Sequence, residues 1–132
     1  MKTKVLVVED NDLNMKLFID LLSSMDCEVL ESYDGVDAVA LAEKYLPSLI
    51  IMDIQLPIIS GIELTKILKA KDRTKRIPVI AVTAFAMPGD KELLLSAGCD
   101  AYMSKPVKIS EFTKMVEKML VPKDPAIEQE AG

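Results

Sequence analysis

Five short runs rich in β-branched and aliphatic residues recur along the chain, each followed by a stretch with helical periodicity. No other feature narrows the possible folds as much. The strand candidates are Lys4–Val8, Glu28–Ser32, Ser48–Met52, Val79–Val82 and Ala101–Ser104. Runs this short and this apolar suit strands buried on both faces. The intervening segments place apolar residues at helical spacing: Met15, Phe18, Ile19 and Leu22, then Ala38, Leu41, Ala42 and Tyr45, then Leu64, Ile67 and Leu68. Phe112, Met115, Val116, Met119 and Leu120 form the cleanest stripe. Asp34-Gly35 reads as a turn into the second helix, and Asp12 as an acid that helps to begin the first. Gly98 is expected to cap the end of the fourth helix, and Ser110 the start of the fifth.

Alternating strands and helices imply an α/β fold, a parallel sheet with helices on both faces. For five strands the common order is 2-1-3-4-5, the flavodoxin-like (βα)5 doubly wound arrangement. At 132 residues the chain has the size of one domain. The folded unit is expected to span residues 1–121, with a disordered tail over 122–132, where two prolines and several charges leave little to bury. No apolar run approaches the roughly 20 residues of a membrane span. Glu9-Asp10 cut the first apolar run too short for a signal peptide. The expectation is a cytoplasmic protein and, for a chain beginning at Met1 without an output domain, a stand-alone one.

Charge and histidine content exclude several function classes. Sixteen basic residues face 21 acidic ones, a net charge of −5. Phosphate-backbone binding needs clustered cations, and the nearest cluster, "KAKDRTKR" over 69–76, reads as a solvated connection after the third helix. Direct nucleic-acid binding is therefore not expected. Cys27 and Cys99 lack metal-ligand spacing and read as buried thiols. Histidine is absent, which removes Ser-His and Cys-His catalysis, histidine-ligated zinc and any phosphohistidine carried on this chain.

In open α/β sheets, ligands bind beyond the carboxyl ends of the strands, where the strand order reverses. Strand 1 ends at Glu9-Asp10, strand 3 at Asp53, strand 4 at Thr83 and strand 5 at Lys105-Pro106. Strand 2, the edge strand away from the reversal, ends at Ser32-Tyr33 with nothing comparable. Two carboxylates about 4 Å apart repel by roughly 4 kcal/mol at an effective dielectric near 20. Three in one cleft must raise one another's pKa or share a cation. An all-oxygen set suits a hard divalent ion, and Mg²⁺ in particular, which uses few carboxylates and keeps waters and phosphate oxygens. Asp10 and Asp53 would ligate it directly and Glu9 through water. With Lys105 as a cation and Thr83 as a hydroxyl donor, the cleft forms a cage for phosphoryl oxygens, and Asp53 is placed as nucleophile.

The motifs "VVEDN", "IIMDIQLPIISG", "VIAVTA" and "YMSKP", in this order at the strand ends, resemble those of the CheY-like response-regulator receiver domain over residues 4–120. The resemblance implies that Asp53 accepts a phosphoryl group, with Glu9 and Asp10 around Mg²⁺ and the backbone carbonyl of Gln55 as a further metal ligand. It implies Thr83 and Lys105 as phosphate-contacting residues, Tyr102 as an aromatic switch, and a cis Lys105–Pro106 bond. Histidine kinases or a histidine phosphotransfer protein would be the partners, and the chain a monomer. More narrowly, "EDNDLNMKLF", "MDIQLPIISG", "AVTAFAMPGD" and "GCDAYMSKP" resemble the stand-alone DivK regulators of the alphaproteobacterial cell cycle. The "EDN" opening also resembles receivers within hybrid histidine kinases.

Other readings differ at single positions. A phosphatase of the haloacid dehalogenase type also uses a strand-ending aspartate, Mg²⁺ and a lysine, but needs an acid two residues after the nucleophile. That position is Gln55. A nucleotide-binding module would place glycines where "EDNDLN" follows strand 1. A receiver-like module that is never phosphorylated would not need the intact cleft. The reading is a phospho-acceptor with slow self-dephosphorylation, not an enzyme. Beyond Thr83, Ala84, Phe85, Ala86 and Met87 form an apolar run in a connection, either packed under the fourth helix or presented to a partner; the partner reading is favoured, with Phe85 and Met87 as the contacts.

Overall fold

The computed structural model describes residues 3–84 and 89–120. The elements run β1 (Thr3–Val8), α1 (Asp12–Ser24), β2 (Cys27–Ser32), α2 (Ala38–Tyr45), β3 (Leu49–Asp53), α3 (Gly61–Ala70), β4 (Val79–Thr83), α4 (Asp90–Ala97), β5 (Ala101–Ser104) and α5 (Ile109–Leu120). The five strands form one parallel sheet in the order β2-β1-β3-β4-β5, as the alternation implied. Residues 121–132, which hold the expected disordered tail, lie outside the described residues, as do Phe85 and Met87.

Period-two alternation splits the buried strand residues between two layers. Leu6, Val8, Ile50, Met52, Val79 and Ala81 point toward α2, α3 and α4, where they meet Ala38, Ala42, Leu64, Leu68 and Leu94. Val5, Val7, Leu49, Ile51, Ile80, Val82 and Met103 point the other way, against Met15, Phe18 and Leu22 of α1 and Phe112 and Val116 of α5. The rings of Phe18 and Phe112 stack at 5.3 Å, joining α1 to α5. β3 and β4 are buried along their whole lengths. β2 and β5 are not, because each is an edge strand with one flank unpaired; of β5 only Met103 is buried.

The helix boundaries follow local chemistry. Asn11 caps α1 by accepting from Asn14 N–H at 3.0 Å, and Asp12 supplies the acid of the first turn. Gly98 ends α4 at φ 107°, its N–H returning to Leu94 and Leu95. Ser110 does not cap α5. Phe112 N–H already bonds the Lys108 carbonyl at 2.9 Å, so the helix starts earlier and Ser110 sits inside its first turn. The connection over 69–76 is not wholly solvated either. Lys69 Nζ bonds the carbonyls of Lys75 and Ile77 and the Asp100 carboxylate at 3.0 Å, stapling the end of α3 to the start of β5.

Candidate functional site

The registers align the carboxyl ends of the inner strands. Val8 pairs with Met52, Asp53 with Val82, and Thr83 with Ser104, so Glu9, Asp53, Thr83 and Lys105 emerge at one rim. The Lys105–Pro106 bond is cis, as expected. The carboxylates of Glu9, Asp10 and Asp53 each offer an oxygen, all within 4.8 Å of one another. Glu9 and Asp53 are 0% and 2% exposed, while Asp10 opens to solvent.

Two of these acids are held from one side and left open on the other. Glu9 Oε2 accepts from Asn11 N–H at 3.2 Å, and Asp53 Oδ1 from Gln55 N–H at 3.0 Å. Glu9 Oε1 and Asp53 Oδ2 are buried and accept no hydrogen bond. Lys105 Nζ stands 3.3 Å from each, at ion-pair distance. One ammonium between two buried acids leaves a charge uncompensated. Burial first, then the neighbouring Asp53 carboxylate, push Glu9 from 4.5 up to about 7, against the opposing pull of Asn11 N–H and Lys105. Burial draws the Lys105 ammonium down, but the charges of Asp53 and Glu9 outweigh it and hold the pKa above 10.5.

Two buried, unbonded carboxylate oxygens beside an exposed third acid form a hard-oxygen donor set with unspent negative charge. That fits Mg²⁺. Among the described residues, Glu9, Asp10 and Asp53 are the group of acids able to hold such an ion.

Thr83 is 1% exposed, and its carbonyl accepts from Lys105 N–H at 2.8 Å. Tyr102, on β5, pairs with Ala81 of β4 and is 39% exposed, so it is not a core tyrosine. Gln55 and Gly61 are more deeply involved than their sequence context suggested. The Gln55 side chain accepts from Ala84 N–H at 3.1 Å, joining the ends of β3 and β4. At Gly61, a Cβ would lie 2.8 Å from Ile54 Cα and press on the Asp53 carbonyl, so α3 can begin this close only with glycine there. The start of α3 was signalled by "SGIE", in which Ser60 accepts from Glu63 N–H at 3.2 Å, the S-x-x-E pattern of a helix start, but that pattern does not require glycine at 61. For the Gln55 side chain there was no signal.

The sequence model of the response regulator receiver domain matches residues 5–117. The polar-differentiation response regulator DivK of Brucella anthropi is 49% identical over 120 residues, covering 91% of this chain and 98% of that protein. Among solved structures, the receiver domain of a sensor histidine kinase from Pseudomonas aeruginosa, with magnesium coordinated in its active-site cleft, superposes with a TM-score of 0.83 at 34% identity. That match covers 91% of this chain and 98% of the other. A chemotaxis protein of Vibrio cholerae gives a TM-score of 0.85 at 26% identity, over 91% of this chain and 100% of its own.

Proposed function

From a chain that belongs to the response regulator receiver domain family, and so is a DivK-like phosphorelay regulator with a Mg²⁺-binding acidic cleft, we propose that Asp53 is the phospho-acceptor of a protein-interaction switch. The observation that carries the proposal is Asp53 Oδ2, a buried carboxylate oxygen without a hydrogen-bond donor, 3.3 Å from the Lys105 ammonium. Its partner oxygen is fixed by Gln55 N–H. One oxygen is thus fixed by a backbone donor, and the other, held only by the Lys105 ion pair, is the one assigned to attack.

The donor is a phosphohistidine on a histidine kinase or phosphotransfer protein, the partner class of receiver domains. Asp53 Oδ2 forms the new P–O bond, the P–N bond breaks, and the electron pair leaves on the imidazole. Lys105 offsets the charge that gathers on the phosphoryl oxygens, and the Thr83 hydroxyl donates to one of them. Glu9, Asp10, Asp53 and the Gln55 carbonyl would hold Mg²⁺, which when bound offsets the carboxylate charge and draws phosphoryl oxygens toward the acceptor. Gln55 offers no acid or base to speed hydrolysis, so loss of the phosphate to water is slow and the chain is a switch, not a phosphatase. Movement of Thr83 toward the phosphoryl group, followed by Tyr102, biases a two-state equilibrium that partner proteins read. The Brucella relative is named for polar differentiation, which supports a role in cell-cycle control. No helix among the described residues is long and apolar enough to cross a membrane; we place the protein in the cytoplasm.

Incubation with Mg²⁺ and acetyl phosphate, followed by intact-mass measurement, tests the assignment. One phosphate should appear on the wild type and none on Asp53→Asn or in excess chelator. Full incorporation in either control rules Asp53 or the metal out.

A further inference from the structure

Past β3 the backbone leaves the sheet. Ile54 N–H makes the last rung of the β3–β4 ladder, donating to Val82 O at 3.1 Å. In a parallel ladder the next rung would run from Ala84 N–H to Ile54 O. Here Ile54 O instead accepts from Gly61 N–H at 3.1 Å as the chain turns into α3. The Gln55 side chain supplies a substitute, its Oε1 accepting from Ala84 N–H at 3.1 Å. The backbone N–H of the same residue holds Asp53 Oδ1 at 3.0 Å. One residue thus grips the acceptor carboxylate with its main chain and the residue after Thr83 with its side chain.

We propose that Gln55 is a positioning residue whose side chain completes this rung in the unphosphorylated protein, and that phosphorylation of Asp53 displaces it from Ala84 N–H. The proposal rests on Asp53 being the acceptor. A rung made by a side chain at an exposed site breaks without disturbing the ladder beneath it. Ala84 is exposed, and its amide and the Gln55 carboxamide are both neutral, so the bond is weak compared with one to an anion. When Asp53 Oδ2 forms its bond to phosphorus and acetate leaves acetyl phosphate with the electron pair, charged oxygens enter the cleft beside Ala84. Hydrogen bonds to ionised acceptors are roughly twice as strong as neutral ones. The donor changes acceptor, and the residue following Thr83 is released from β3.

The test follows the Ala84 amide by hydrogen exchange and by its ¹H–¹⁵N resonance, with phosphate incorporation measured separately by mass. Before phosphorylation and without metal, exchange at Ala84 should be roughly fivefold faster in Gln55→Ala than in the wild type, the ratio a typical net hydrogen bond gives. Gln55→Asn, too short to reach, should behave like Gln55→Ala, and Gln55→Glu, with an acceptor at the same reach, should keep the wild-type protection. With Mg²⁺ and acetyl phosphate, the Ala84 resonances of wild type and Gln55→Ala should converge, because neither then bonds residue 55. Equal exchange in wild type and Gln55→Ala overturns the rung, and resonances that stay as far apart after phosphorylation overturn the displacement. Absence of phosphate on wild-type Asp53 refutes the acceptor assignment and with it the displacement, while the exchange contrast still decides the rung.

Discussion

Replacing Gly61 by alanine tests whether the close approach of α3 to the acceptor strand sets the site's geometry. Gly61 does not have a positive φ, so the substitution acts through space and not backbone strain. The added Cβ would stand 2.8 Å from Ile54 Cα and against the Asp53 carbonyl. Ordinary carbon contacts are 3.5–4.0 Å, so one partner must retreat by roughly half an ångström or more. Both obstacles are main chain, and neither can rotate away. Overpacking of this kind typically costs about 1–3 kcal/mol, and alanine's better helix propensity returns up to about 1 kcal/mol. The expected net loss is about 1–2 kcal/mol in urea unfolding. Misplacing a reacting group by about 1 Å can slow a reaction about a hundredfold, so a shift of half that size should slow phosphorylation by acetyl phosphate about tenfold. Gly98→Ala is the control. It forces a side chain at φ 107° and against Lys69 Cγ at 2.7 Å, far from the cleft, with a similar stability loss of about 1–3 kcal/mol. Its phosphorylation rate should be unchanged. A destabilised Gly61→Ala that phosphorylates at the wild-type rate, or an equally slow Gly98→Ala, would refute the reasoning.

In metal-free protein, stability should fall by about 3 kcal/mol as pH rises from 4.5 to 7, because Glu9's folded pKa of about 7 lies above its ordinary 4.5 and the folded state binds the proton more tightly. Glu9→Gln should lack this slope in urea unfolding; the same slope in both proteins would clear Glu9 of responsibility. Thr83→Ala should still take phosphate yet lose most of the phosphorylation-dependent gain in partner affinity, and an undiminished gain measured by calorimetry would show that the hydroxyl does not read the phosphoryl group. Phe85→Ser or Met87→Ser should weaken kinase binding while acetyl phosphate still labels Asp53, with thermal unfolding as the folding control; unchanged affinity would assign both residues to packing.

The strands were legible because burial on both faces leaves few polar residues in β1, β3 and β4, and the predicted and observed bounds differ by one residue at most. The grouping of the charged candidate residues was legible because they sit at the ends of those runs, where the parallel topology brings them to one rim. What escaped the sequence depends on contacts between distant segments. Lys69 reads as one more cation in a basic connection, and only the fold reveals Asp100, 31 residues away, as its partner. Gln55 takes the Ala84 amide where the chain has turned Ile54 O toward Gly61 N–H, an arrangement of three segments that no spacing rule encodes. Ser110 has the chemistry of a cap, but it lies inside the first turn of a helix that the bond from Phe112 N–H to Lys108 O has already begun.

The central claim is that Asp53 takes a phosphoryl group from a phosphorus–nitrogen donor. Phosphoramidate carries the same bond type as phosphohistidine and needs no partner protein. After incubation with phosphoramidate and Mg²⁺, the protein is treated with hydroxylamine, which converts an acyl phosphate to a hydroxamate, and the modified peptide is located by mass spectrometry. The account predicts one phosphate that hydroxylamine removes and a hydroxamate at Asp53. A phosphate that resists hydroxylamine, or a hydroxamate at Glu9 or Asp10 in place of Asp53, would contradict it.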